Sequence, residues 1–144
     1  ARSAHLDGLK PAPQPNVRPM EKDLLHLITT RAETQISDEQ WARSVERVLA
    51  KSGLSEIQFC HAYSRLVASE FVMGELSYAE GDLAMNRLST QFREPLSGFS
   101  LKVYLAFDAG EYARTKDTAS TVPWLAYTMP LIIEALKSSE VGEP

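Results

Sequence analysis

Three times in this chain a serine stands three residues ahead of a glutamine or glutamate. The tetrads are Ser37-Asp38-Glu39-Gln40, Ser55-Glu56-Ile57-Gln58 and Ser77-Tyr78-Ala79-Glu80, and apolar residues at helical spacing follow each of them. In such a capping box the serine hydroxyl accepts the N3 amide while the N3 side chain reaches back to the serine's own amide. Two of the donors that every helix start leaves unpaired are thereby satisfied together. Gly53 and Gly74 fall between these starts, where a left-handed residue would end the preceding helix.

The spacing of apolar residues extends this reading to helices at about 20–34, 38–51, 56–73, 78–92, 97–115 and 122–138. Leu24, Leu25, Leu27 and Ile28 form one stripe, and Trp41, Val45, Val48 and Leu49 form a second. The third helix, with Ile57, Phe59, Cys60, Tyr63, Leu66, Val67 and Phe71, has the widest apolar face and is expected to be the spine of the fold. The fifth is apolar from Leu101 through Tyr104, Leu105 and Phe107 to Ala109, and Arg114 and Lys116 suit its negative C-terminal end. In the last segment Pro123 fits a first turn. Pro130 removes a hydrogen bond further in and implies a kink near Thr128. No β-alternation and no fixed-period repeat interrupts the pattern. The fold class is all-α, a single-domain bundle of five to six helices over residues 20–139.

Outside that domain, Pro11, Pro13, Pro15 and Pro19 give residues 1–19 the character of an extended, flexible leader, with Met20 as a plausible native start. Residues 140–144 read as a disordered tail. The chain has 144 residues, 44% of them apolar and 24% charged, enough for a packed core without disulfides or metals. Its net charge of −4 opposes binding to phosphate backbones and favours a cationic partner. The single cysteine and the absence of a long apolar run point to the cytoplasm rather than to a membrane.

Chemistry-bearing residues are few. Cys60 and His61 are adjacent, so they point about 100° apart on a helix, and neither has a second ligand at i+3 or i+4. Cys60 reads as a small core residue and His61 as a boundary residue. No catalytic residue, metal site or cofactor is expected, and the chain is read as a non-enzyme. Asp82, Asp108 and Glu111 lie beside the small residues Gly81 and Gly110, and Asp108 and Glu111 are i,i+3 neighbours. Acid-base or metal work would require further ligands or a cleft. A structural account has Asp82 or Asp108 bonded to Asn86, Arg87 or Tyr112, with Gly81 allowing close helix packing and Leu83 and Leu88 entering the core. A recognition account takes Glu75, Tyr78, Glu80, Asp82, Asp108, Glu111, Tyr112 and Asp117 as an acidic surface with tyrosine anchors.

The segments "LSYAEGDLAMNRL" and "LAFDAGEYART" sit in a small, acidic, helical chain that resembles the immunity proteins of bacterial colicin-type and polymorphic-toxin systems. The resemblance covers size, charge, helical class and acidic-aromatic segments over about residues 20–138. It implies a protein that binds a basic toxin domain through an acidic face and blocks it by occlusion. Two alternatives stay open: a transcription regulator using a helix-turn-helix over 38–66 with "KSGLS" as its turn, and a helical chaperone. A homo-oligomer is compatible with the amphipathic faces, which can be satisfied within one chain or across two.

Overall fold

The computed structural model describes residues 17–34 and 36–140. It is built of α1 (Val17–Thr34), α2 (Asp38–Ser52), α3 (Glu56–Val72), α4 (Tyr78–Gln91), α5 (Gly98–Ala109), a π-helical turn (Trp124–Thr128) and α6 (Met129–Glu140), with no strand among the described residues. All three capping boxes form. Ser37, Ser55 and Ser77 accept from the amides of Gln40, Gln58 and Glu80, whose side chains accept the serine amides in return. Gly53 ends α2 in the left-handed conformation, with φ 76° and its amide on the Leu49 carbonyl. Gly74, at φ 82°, closes α3 in a Schellman arrangement: its amide reaches the Phe71 carbonyl and that of Glu75 reaches Glu70.

The core is organised around α3. Phe59, Tyr63, Val67 and Phe71 recur every fourth residue and are buried together with Leu24, Leu27 and Ile28 of α1, Met85 and Leu88 of α4, Val103 and Phe107 of α5, and Ile132 of α6. Each fully buried side chain of this size contributes about 1.5–3 kcal/mol through removal from water. Two large buried side chains carry their polar atoms to partners on other helices. Tyr63 donates to the Ala84 carbonyl at 3.0 Å, and Trp41 donates its indole N–H to the Leu27 carbonyl at 2.9 Å, which pins α2 to α1. Lys51 adds an ion pair to Asp23 at 3.4 Å.

The structure corrects several expectations in detail. Helix α1 begins at Val17, inside the segment assigned to the leader. Proline 19 is tolerated there because the first turn's amides need no helical partner. Residues 1–16 and 141–144 lie outside the described residues. Leu83 is 37% exposed, whereas Met85 is fully buried. The reason is register: α4 buries Gly81, Ala84, Met85 and Leu88, an i, i+3, i+4, i+7 stripe from which Leu83 is displaced. Ile57 is 75% exposed for the same cause, being two residues and thus about 200° away from Phe59. Leu101 and Leu105 likewise fall outside the buried face of α5.

Helix α5 stops at Ala109, not near residue 115. Its last carbonyls are taken by groups from elsewhere. Ala106 accepts from the Thr128 hydroxyl at 2.7 Å, Phe107 from the Tyr78 hydroxyl at 2.6 Å, and Ala109 from the Arg114 guanidinium at 2.6 Å. Arg114 therefore does serve the negative end of α5, but by folding back onto it from the following loop. The expected break near Thr128 takes the form of the π-helical turn. The Met129 amide reaches back five residues to the Trp124 carbonyl, and the turn ends where Pro130 has no amide to offer.

Candidate acidic-aromatic face

Tyr78 is the first residue of α4, placed there by the capping box at Ser77. One helical turn later stands Asp82, and across from both lies the end of α5, which carries Asp108, followed by Glu111 and Tyr112 in the turn. That turn is closed by the Glu111 amide on the Asp108 carbonyl at 3.2 Å. Two glycines allow the approach. Gly81 is buried against the ring of Phe107, and Gly110 against the backbone of Trp124, where an added Cβ would lie 2.9 Å from the Trp124 Cα. The Tyr78 ring packs between Phe107, at 5.8 Å, and Trp124, at 6.3 Å and nearly parallel.

The three carboxylates lie near enough for the charges of Glu111 and Asp108 to act on Asp82. Asp82 is half-buried, and the side-chain amide of Asn86 stands 3.5 Å from its Oδ2. Burial, followed by the negative charge of Glu111 and then of Asp108, pushes the Asp82 carboxyl up from 3.8 to about 6. Burial and the charges of Asp82, Glu111 and Asp108 also push the Tyr78 hydroxyl up, which keeps it a neutral donor to Phe107. Asp108, Glu111 and Tyr112 are exposed, Tyr112 by 71%. The face thus presents clustered acceptors with an aromatic side chain free to be covered. Among the described residues, no three His, Cys, Asp or Glu side chains are arranged to hold a metal ion.

Five of the eight residues singled out in the sequence belong to this face: Tyr78, Asp82, Asp108, Glu111 and Tyr112. The remaining three have other places. Glu80 is engaged by the Ser77 amide at 2.8 Å in the capping box. Glu75 neighbours Glu70, whose carboxyl is raised by burial and by the charges of Glu75 and Glu21. Asp117 braces the loop after α5, accepting the Arg114 amide at 2.6 Å and the Tyr127 hydroxyl, bonds that hold its carboxyl below the usual range. Arg114 lies 3.8 Å above the Tyr127 ring in the same brace. Arg87, considered as a partner for Asp82, instead pairs with Asp38 at 3.3 Å and sits over Trp41.

Phe107, Trp124 and Thr128 position the face, a role that no local pattern of residues announces. Only the presence of glycine at positions 81 and 110 hinted that something large would approach each one. Cys60 is partly buried, and burial followed by the charge of Glu56 pushes its thiol up to about 11, far from a reactive thiolate. His61 packs on Phe99 at 5.0 Å, and burial lowers its pKa. In α3, the segment considered as a recognition helix, Phe59 and Tyr63 are turned into the core. No helix among the described residues is long and apolar enough to cross a membrane. Compared with known proteins, the chain matches no family model, no curated protein and no solved structure significantly.

Proposed function

We propose that this is a non-enzymatic protein-binding protein of the immunity type, which neutralises a basic toxin domain by covering an essential surface with its acidic-aromatic face. The observation that carries the reading is the grouping of Asp82, Asp108 and Glu111, whose charges all act on Tyr78. The charges that push Asp82 up are those of Glu111 and Asp108, and no ion pair among the described residues engages any of the three, Arg114 being turned to the Ala109 and Tyr112 carbonyls. A lysine or arginine from a partner would supply a cation, and Tyr112 would be the aromatic anchor beside it. Rigid support from α4, α5 and the π-helical turn means that little order has to be gained on binding.

The test uses the chain as bait in extracts of its source cells at low salt, followed by purification of the complex. A one-to-one complex with a basic protein is expected, weakened at least about tenfold by Asp108→Lys or Glu111→Lys. Failure to retain a stable partner, or a complex indifferent to both reversals, overturns the reading.

A further inference from the structure

On a different part of the molecule, the first turns of α3 and α5 and the loop joining α4 to α5 enclose a cleft of about 660 Å³. Its walls are mostly apolar, formed by Ile57, Cys60, Phe92 and Leu96. The volume and the mostly apolar lining are within the range that small-molecule sites occupy. Ile57 is the most exposed large apolar side chain of the molecule among the described residues, at 75%. No packing need explains it, because it stands outside the buried stripe of α3.

Two polar features converge on this cleft. Ser100 lines it and is only 4% exposed, yet no hydrogen bond among the described residues engages its hydroxyl. The hydroxyl is not sealed in. Among the described residues the sealed unpaired side-chain atoms are Ser64 Oγ and two guanidinium nitrogens of Arg87, so Ser100, which lines the cleft, opens onto it. A hydroxyl on a side chain only 4% exposed, reached from the cleft and without a protein partner, is placed to donate to whatever fills that cleft. The second feature is the start of α5. Its Ser97 makes no capping bond and its first turn has no acidic residue, in contrast to the closed boxes of α2, α3 and α4. Its first amides are donors awaiting an acceptor.

The charges at the mouth narrow the choice of ligand. Glu56 and Glu94 line it and are both exposed, so a carboxylate or phosphate head would be repelled. An ammonium head would suit them but would set donor against donor at the α5 amides. We infer that the cleft binds a small uncharged amphiphile, an acyl chain ending in an amide or ester carbonyl. The chain lies along Ile57, Cys60, Phe92 and Leu96, and the carbonyl accepts from Ser100 and the first turn of α5.

Three probes of equal chain length separate the possibilities: hexanamide, hexanoate and hexylamine, each titrated into the isotopically labelled full chain. Hexanamide is expected to shift the amide resonances of Phe99 to Leu101 saturably and to slow alkylation of Cys60, the chain's single cysteine, while the other two bind about fivefold more weakly. Ser100→Ala is expected to weaken hexanamide about three- to tenfold, whereas Ser64→Ala, at a buried unpaired serine that does not line the cleft, leaves it unchanged. Absence of saturable shifts, equal or stronger binding of the acid or the amine, or an unaffected Ser100→Ala variant would each refute the assignment.

Discussion

A Cβ placed on Gly81 would lie 2.5 Å from both Cε1 and Cζ of Phe107. Helix propensity favours alanine there by about 1 kcal/mol, and overpacking opposes it by about 1–3 kcal/mol. The ring decides the balance. Phe107 is fully buried and held 5.0 Å from Phe71 and 5.8 Å from Tyr78, so it has no free direction in which to move. Gly81→Ala is expected to lower stability by about 1 kcal/mol in chemical denaturation, and in a Phe107→Leu background the same change is expected to become neutral or stabilising. Asp82 makes a second residue-scale prediction. Its folded pKa of about 6 lies above the unfolded 3.8, so the native state holds the proton more tightly. The stability that this supplies is complete below about pH 4 and is lost as pH rises through about 6. Asp82→Asn removes the cost of ionisation. It is expected to stabilise the protein at pH 7 by about 1 kcal/mol after allowance for solvent screening, and to leave it unchanged near pH 3.5. Denaturation midpoints at the two pH values check this; equal effects at both would contradict it. The presence of a tight approach at Gly81 could be read from an expensive glycine inside a capped helix, but the approaching group could not. It comes from a residue twenty-six positions away, and no local preference encodes that pairing.

At the scale of the element, α5 shows how a helix end can be fixed from outside. Its residues from Glu111 to Thr115 are compatible with a further turn, and composition alone extends the helix through them. The chain leaves the helix because Gly110 is packed against Trp124 and Thr128, while Thr128, Tyr78 and Arg114 satisfy the carbonyls that a longer helix would have paired. Thr128→Val keeps the shape and removes the donor. Thr128 is fully buried, so the Ala106 carbonyl would lose this bond with no water to replace it. The expected loss is about 1–3 kcal/mol, seen as a lower urea midpoint with an unchanged slope. A midpoint equal to that of the parent would show that the bond does not hold the end of α5. By contrast, the starts of α2, α3 and α4 were legible to the residue, because a capping box closes within four positions of the chain. The end of α3 was legible for the same reason, since Gly74 and Glu75 complete its motif with carbonyls only three and five residues behind them.

Across the whole molecule, α3 packs against α1, α4, α5 and α6, while α2 leans chiefly on α1 through Trp41 and Lys51. The acidic-aromatic face lies where α4 meets the end of α5. The charge reversals proposed for its complex therefore also carry a salt signature. Asp108 and Glu111 are exposed and are screened over about 8–10 Å at ordinary ionic strength, so added salt is expected to slow association more than it speeds dissociation. The chain by itself determined the class of fold, three helix starts and two helix ends, the central place of α3 and the break before α6. Each of these rests on contacts within one or two turns of chain, or on an apolar period that any partner surface would satisfy. Tertiary structure alone decided that Asp82 lies within reach of the charges of Asp108 and Glu111, while Glu75, Glu80 and Asp117 turn to other tasks. It also decided that Leu83 faces water and that Ser100 is left unpaired in a cleft. Those outcomes depend on how helices rotate and dock against one another, and that is set by the packing of large side chains such as Phe107 and Trp124 into gaps that no single segment contains.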